Sequence, residues 1–572
     1  MKNKNRKPYY QFRRIIVLSV FALAIVGLLW RALDMQVINQ AFLKQQGDAR
    51  QMRVVPISAH RGDIYDRNGE PLAISTPVDS IWVNPGQIKG EKGHELLKRV
   101  AKLAGILKIN TKKLNKKIIK NINKEFVYVL RQVSPTTGEK IKRLGIPGVY
   151  LQREYKRYYP AGEVASHILG FANVDDKGQE GLELAYDDWL SGKAGAKKVI
   201  RDRLGQVVDD VERLRSAEPG KPVYLSIDRR IQYIAYQSLK SAVQENKAIA
   251  GSAVVLDIHT GEVLAMVNQP SFNANNRSQL KPGVYRNRSV TDVFEPGSTM
   301  KPFTIAAALE TGRWHPKDNV HTEPGYYMVQ GNTIKDMRNY GKINLGEIIL
   351  KSSNVGVSKV ALSMAQEQQL DMYIKLGFGA DTGSGFPGER NGNLRTGNLS
   401  EFERATMAFG YSLSVTPLQL ARAYSALAAD GVIYPVTFLR REEEVSGKKI
   451  MSTDTARKVR RMMERVVSPQ GTANKASIAN YRVAGKTGTV HKFISGGYAE
   501  DRYLSIFAGI APASDPRLVM IVMLNEPRKG KYFGGQVAAP VFSRVMSGAL
   551  RILDIAPDNL KYVNADIKGK KA

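Results

Sequence analysis

A chain of 572 residues is too long for one hydrophobic core and suits two or three domains with connectors. Its formal net charge of +32 suits anionic membrane surfaces or polymers, and the absence of zinc-finger spacing or an RNA-recognition signature speaks against nucleic acid. With no cysteine and seven scattered histidines, a disulfide framework, a thiolate metal site and a cysteine nucleophile are excluded, and no metal is implied.

The first fourteen residues carry Lys2, Lys4, Arg6, Lys7, Arg13 and Arg14 and no acid. An uncharged apolar run from Ile15 to Trp30 follows, which Ala32 and Leu33 extend if Arg31 reaches the membrane interface. Positive charge ahead of an apolar span predicts a transmembrane helix over 15–33, with 1–14 as a cytoplasmic basic tail. Ala22-Leu23-Ala24 has the small-x-small form of a signal-peptide cleavage site, but Ile25, Val26, Leu28, Leu29 and Trp30 continue the run beyond it and favour an uncleaved anchor. Residues 34–59 turn polar and read as a juxtamembrane stalk.

Ile64 and Tyr65, a turn at Asn68-Gly69 and the returning Leu72, Ala73 and Ile74 predict a hairpin. Leu96, Val100, Leu103 and Leu107 form one helical stripe, and Leu114, Ile118 and Ile122 form another behind Thr111 as a cap. The lysines on the remaining faces read as solvated. Together these signals make 60–220 an α+β module.

Asp228 caps a helix carrying Ile231, Ile234, Ala235, Leu239 and Val243, and Ala253–Leu256 and Val263–Val267 form a hairpin across Thr260-Gly261. Far downstream, Leu504–Ile510 and Leu518–Leu524 read as two more strands, and Val541–Ile552 as a closing helix. Strands at both ends of 221–558, with a long helical middle, imply one sheet completed by both ends of a domain. A basic tail, 559–572, follows.

Within that domain Pro296-Gly297 runs straight into the helical pattern of Phe303, Ile305, Ala306 and Leu309, which puts Ser298 at or near a helix N-terminus. Lys301 is one turn on, beside the hydroxyl it would deprotonate. Pro302 has no amide to give the Ser298 carbonyl, so the first helical turn should be loose. A serine at a helix start is more often a cap than a nucleophile, and Ser446-Gly447-Lys448-Lys449 fits Ser-x-x-Lys by accident. What raises Ser298 above that background is order: Ser352-Ser353-Asn354 and Lys486-Thr487-Gly488-Thr489 follow it in the sequence that penicillin-recognising serine acyltransferases require.

On this trio, residues 221–558 resemble the transpeptidase domain of penicillin-binding proteins. Arg61–Ala73 looks like the segment that opens the non-catalytic, dimerisation-type pedestal of the class B members, and Tyr158–Gly162 and Gly178–Glu183 resemble its end. Val355-Gly356-Val357-Ser358, Gly485–Lys492, Lys531–Gly535, Gly385–Glu389 and Tyr411–Pro417 are similar to the division-specific type. The resemblance implies a membrane-anchored multidomain chain: a transmembrane helix, an α+β pedestal, and a serine β-lactamase-like domain with an antiparallel sheet, helices on both faces and a helical subdomain.

It also implies a reaction. Ser298 attacks the penultimate D-alanine carbonyl of a peptidoglycan stem peptide, with Lys301 as base, and an amine of a neighbouring stem resolves the acyl-enzyme. Ser352 relays a proton to the leaving nitrogen, Asn354 hydrogen-bonds the substrate amide, and Lys486, Thr487 and Thr489 hold the terminal carboxylate. The amides of Ser298 and Thr489 form the oxyanion hole, and Gly488 lets the substrate approach the strand.

No cofactor is implied. Expected partners are stem peptides, β-lactams, membrane lipid, an FtsW-like glycan polymerase and other division proteins, and the expected location is the bacterial inner membrane, single-pass, with the catalytic domain in the periplasm. An elongation-type transpeptidase, a membrane-anchored serine β-lactamase and a non-enzymatic penicillin-binding sensor or scaffold share parts of the pattern. Elongation relatives usually carry Ser-x-Asp in the middle motif, a lactamase has no need of 60–220, and a sensor would carry more membrane spans.

Overall fold

The structure is a computed structural model and describes residues 9–89, 93–201, 207–278, 281, 283–494 and 497–560. The first eight residues of the expected cytoplasmic tail and nearly all of the expected basic tail, from 561 on, lie outside the described residues. Contacts divide the chain into two compact units.

The first unit comprises Met1–His60, Pro77–Tyr155 and Gly192–Pro219. Helix α1 spans Tyr9–Leu33 and its apolar side chains are exposed. Among the described residues it belongs to the one helix long and apolar enough to cross a membrane. In chain order there follow α2 (Gln40–Gln51), β1 (Met52–Ile57), β2 (Pro71–Val83), α3 (Gly93–Ile106), α4 (Thr111–Lys120), β3 (Val127–Val133), α5 (Pro135–Lys142), β4 (Val149–Tyr158), β5 (Gly195–Arg201) and β6 (Val207–Arg215). The stretch read as a stalk is therefore ordered as helix and strand. Its β1 pairs antiparallel with β5, Met52 opposite Ile200, more than a hundred residues away in the chain, and β6 completes that sheet.

A second sheet sets the later part of β2 between β3 and β4. Alternation puts Ile81, Val83, Val127 and Val129 on one face, where they meet Val100, Leu103 and Leu107 of α3 and its end, Leu114 and Ile118 of α4, and Ile141 of α5. Val100, Leu103 and Leu107 of one predicted stripe and Leu114 and Ile118 of the other are thus core, while the Leu96 side chain lies outside the described residues. The cap of α4 is one residue earlier than expected: the Asn110 side chain accepts from the Lys113 amide at 3.1 Å, and Ile122 falls beyond the helix end.

The second unit comprises Arg61–Thr76, Lys156–Ser191 and Gly220–Ala572. The predicted hairpin forms, Ile64 pairing with Ala73. Next to it lies a buried ion cluster. Glu183 takes Arg61 Nε at 2.8 Å on one oxygen and Arg157 Nε at 2.6 Å on the other, and Arg61 Nη1 reaches Asp187 at 2.7 Å. Burial lowers the guanidinium pKa of Arg61, but the charges of Glu183 and Asp187 outweigh it and hold the group above its ordinary value.

The elements that carry the rest of this unit are α6 (Arg229–Glu245), β7 (Ala250–Asp257), β8 (Val263–Gln269), α7 (Lys301–Glu310), α8 (Leu345–Lys351), α9 (Asn354–Leu362), α10 (Pro417–Ala428), α11 (Thr453–Val467), β9 (Ala484–Ile494), β10 (Gly497–Ala511), β11 (Leu518–Asn525) and α12 (Ala539–Ile552). The sheet order is β8-β7-β11-β10-β9, antiparallel throughout, so the early hairpin and the late strands build one sheet as expected. β7, β8 and β11 are apolar almost without alternation because both their faces are covered. α6 and α12 pack on one face, with Asp228 capping α6 through the Arg230 amide, while α10 packs on the other with α11 against it. This arrangement leaves β9 at the sheet edge beside the turn that bears Ser298.

Candidate active site

Ser298 sits in a 3-10 turn, Gly297–Met300, that passes directly into α7. The Lys301 amide donates to the Ser298 carbonyl across three residues, and Pro302, lacking an N–H, cannot supply the α-helical bond to that carbonyl. The first turn is therefore tightened to 3-10 rather than loosened as expected, because the carbonyl that Pro302 cannot serve takes the Lys301 amide instead. Gly297 has φ 57°, and a Cβ there would lie 2.3 Å from a methyl of Val490 on β9. Its amide donates to the Gly410 carbonyl at 3.1 Å, and the buried Tyr424 hydroxyl donates to the Thr299 carbonyl at 2.8 Å. The backbone under the nucleophile is therefore gripped from three directions.

The side chains of all three motifs converge on two buried amines. Lys301 Nζ stands 3.1 Å from Ser298 Oγ, 2.6 Å from the Ser352 carbonyl, 3.1 Å from Ser352 Oγ and 2.7 Å from Asn354 Oδ1. Lys486 Nζ lies 3.0 Å from the same Ser352 Oγ and 3.3 Å from the Thr487 carbonyl. Both lysines have no exposed surface. Desolvation pushes the Lys301 amine well below its ordinary pKa, with the charge of Lys486 adding to the fall and that of Asp336 opposing it. Burial alone brings Lys486 down to about 7.

Counting donors fixes what the Lys301 amine can do. The Ser352 carbonyl only accepts, and Asn354 presents its oxygen because its Nδ2 donates to the Lys335 carbonyl at 3.1 Å. A neutral amine that gives its two hydrogens to those oxygens turns its lone pair toward a serine hydroxyl. Ser298 and Ser352 both stand at that distance, so the site can take a proton from one and pass it along the other toward Lys486.

Ser352 occupies the left-handed region, φ 59° and ψ 41°, as the C-cap of α8, and the chain turns there directly into α9. The next residue, Ser353, caps α9 by accepting from the Gly356 amide at 2.8 Å. Sequence reasoning missed the group that holds this reversal. Asp336, at the end of the hairpin Tyr326–Val329 and Asn332–Lys335, accepts from Ser353 Oγ and the Asn354 amide at 2.5 Å each and from the Val355 amide at 3.0 Å. A lone aspartate after Ile334-Lys335 carries no motif, so nothing in the sequence could have marked it.

On β9, Thr487 Oγ1 lies 3.2 Å from Thr472 Oγ1, and Thr489 Oγ1 accepts from the Gly534 amide at 3.1 Å. Gly488 has a structural reason beside the one expected. A Cβ there would meet the Pro296 carbonyl and the Thr299 side chain, each at 3.1 Å, so the close approach it permits is that of the nucleophile turn against the strand. Beside the turn, both Glu295 oxygens lie 3.0 Å from Tyr498 Oη on the β9–β10 hairpin, and one also takes the Ser412 amide at 3.1 Å. A cavity of about 760 Å³ opens there, lined by Glu295, Ser412, Val490 and Tyr498 among others.

Comparison with known proteins gives the same two parts. The penicillin-binding protein transpeptidase domain matches residues 251–547, and the penicillin-binding protein dimerisation domain matches residues 56–225. The chain is 42% identical over 560 residues to the peptidoglycan D,D-transpeptidase FtsI of Escherichia coli, covering 98% of this chain and 95% of that one. Among solved structures, the transpeptidase domain of Burkholderia pseudomallei penicillin-binding protein 3 is 45% identical, with a TM-score of 0.54, covering 58% of this chain and 97% of that one. A peptidoglycan synthetase from Bifidobacterium adolescentis is 25% identical, with a TM-score of 0.70, covering 89% of this chain and 98% of that one.

Proposed function

The chain belongs to the class B penicillin-binding proteins and is a peptidoglycan D,D-transpeptidase, and from that premise we propose that it cross-links stem peptides at the division septum through an acyl-enzyme on Ser298. The observation that carries the site assignment is the Lys301 amine, buried without a carboxylate in contact and 3.1 Å from Ser298 Oγ. Held neutral, it takes the serine proton as Oγ attacks the penultimate D-alanine carbonyl. Ser352, within 3.1 Å of both lysines, then returns a proton to the departing D-alanine nitrogen.

Asn354 and the β9 backbone orient the stem peptide, and the Lys486 ammonium with the Thr487 and Thr489 hydroxyls takes its terminal carboxylate. The Thr489 oxygen accepts from the Gly534 amide at 3.1 Å, which leaves its hydrogen to donate to that carboxylate. The amides of Ser298 and Thr489 receive the oxyanion, which the packing of the 297–300 turn on β9 supports. An amine from a second stem then resolves the ester. β-Lactams acylate the same serine and stay, because among the described residues no carboxylate hydrogen-bonds Ser298 or Lys301 to activate water against the ester.

The septal role is drawn from the FtsI relative, and the glycan strands would come from an FtsW-like polymerase working beside this chain. The six cations before the apolar run favour a cytoplasmic N-terminus and a periplasmic catalytic domain. The test is intact-mass and peptide mapping after benzylpenicillin. One long-lived adduct on Ser298, absent from Ser298→Ala, is expected. An adduct elsewhere, or rapid turnover to hydrolysed penicillin, overturns the reading.

A further inference from the structure

The smaller unit holds an asymmetry of charge that the reaction does not use. From Leu96 to Lys124 the chain carries nine lysines and one arginine, and not one acid; the nearest in sequence are Glu95 and Glu125. Lys98 and Lys102 lie on α3, Lys108 follows it, Lys112, Lys113, Lys116, Lys117 and Lys120 make up half of α4, and Lys124 comes after. All nine are exposed, and none is held in an ion pair among the described residues. On α4 the pairs Lys112/Lys116, Lys113/Lys117 and Lys116/Lys120 stand one turn apart, where like charges weaken a helix.

Solubility alone does not call for this. A surface that needs only to stay in water mixes signs. α11 does so, its Lys458 paired with Asp454 and its Arg457 and Arg460 with Asp430. We infer that the exposed face of α3 and α4 is a docking surface for a polymer of repeated carboxylates, namely the stem peptides carried along the peptidoglycan strand. The inference rests on the transpeptidase reading, since it takes its ligand from that substrate.

One observation and two points of chemistry favour this occupant over an anionic bilayer. Helices that lie on membranes are held by burying an apolar face. Leu114 and Ile118, the apolar face of α4, are already spent on the unit's own core, and only Ile119 is left pointing outward. The cations are lysines almost throughout, mobile point charges suited to exchanging carboxylates rather than to a fixed bidentate grip. The catalytic cleft takes one terminal carboxylate at a time, while uncut neighbours on the same strand repeat that group. A second, weak contact with the same polymer raises the local concentration of stems without any new contact in the cleft.

The experiment uses the full chain in detergent micelles and purified, uncross-linked peptidoglycan strands. The probes are co-sedimentation with the strands and, in parallel, penicillin acylation of Ser298. The variant Lys112→Gln/Lys113→Gln/Lys116→Gln/Lys117→Gln is expected to bind the strands about tenfold more weakly and to flatten the loss of binding between about 0.05 and about 0.2 M salt. Strands whose carboxylates have been amidated should bind the unaltered chain no better than the variant binds native strands. Penicillin acylation and the far-UV circular dichroism melt should both be unchanged, which shows both units of the variant folded; loss of acylation from the unaltered chain would strike the transpeptidase reading instead. Equal binding by the variant, or equal binding of amidated strands, overturns the inference. So does a variant that keeps the strands but loses retention on phosphatidylglycerol vesicles, which would assign the face to a bilayer.

Discussion

The second unit buries two clusters of cations, and they solve the same electrostatic problem in opposite ways. Arg61 and Arg157 meet Glu183 and Asp187 at 2.6–2.8 Å, so their charge survives burial because opposite charge was buried with it. Lys301 and Lys486 meet only hydroxyl, carbonyl and amide oxygens. Their pKa values fall instead, and a cation becomes a base. The residue types match the outcomes, since a guanidinium cannot be deprotonated in practice and an ammonium can. What separates a structural from a chemical cluster in one fold is therefore whether a carboxylate came along.

The comparison breaks most severely at Lys301. Lys301→Arg restores a permanent charge where a neutral amine is needed, and penicillin acylation should fall by about 10²–10⁴-fold, read by stopped-flow or intact mass. The Arg61 cluster should respond in stability rather than in rate. Arg61→Ala leaves Glu183 with one partner, and the unfolding free energy should drop by about 3–5 kcal/mol, with acylation per folded molecule unchanged. If the acylation rate fell with stability untouched, the contrast between the two clusters would be wrong.

A smaller effect reads the sign of the field at the base. Lys301 works when neutral, so acylation is lost as pH falls through its lowered pKa. Lys486 lowers that pKa and Asp336 raises it. Lys486→Met should therefore move the acid limb of the acylation profile to higher pH, and Asp336→Asn to lower pH, each by on the order of one unit. A shift of both limbs in one direction would show that geometry, not charge, is being read. Smallest of all, Tyr498→Phe removes the hydrogen bond from the β9–β10 hairpin to Glu295 and should slow acylation by no more than about tenfold, one ordinary hydrogen bond's worth.

How far the sequence reached follows from the range of each interaction. The Ser298–Lys301 spacing is local, so an irregular first turn at Pro302 could be read directly from it, though not that the turn would tighten to 3-10. The ordered trio named three segments that the fold brings together, because chemistry constrains their types. Asp336 acts through a fold that brings a hairpin end onto the start of α9, and no spacing rule reports that. Gly488 was legible as a close approach, but that of the Pro296 carbonyl, about two hundred residues away in the chain, could not be read from the strand. The stretch 34–59 read as a stalk because Met52–Ile57 is a short run holding a proline, and such a strand declares itself only with its partner β5, more than a hundred residues on.

The packing under Ser298 also bears on how such a site can change over generations. A Cβ at Gly410 would fall 2.2 Å from the Gly297 carbonyl, one at Gly297 would meet Val490, and one at Gly488 would press on Pro296. Single substitutions at these positions displace the nucleophile itself, so they harm the native reaction along with inhibitor binding. Selection by β-lactams is therefore barred from the floor of the site and has to search its walls, where the exposed Tyr498 beside the cavity can vary without moving the serine.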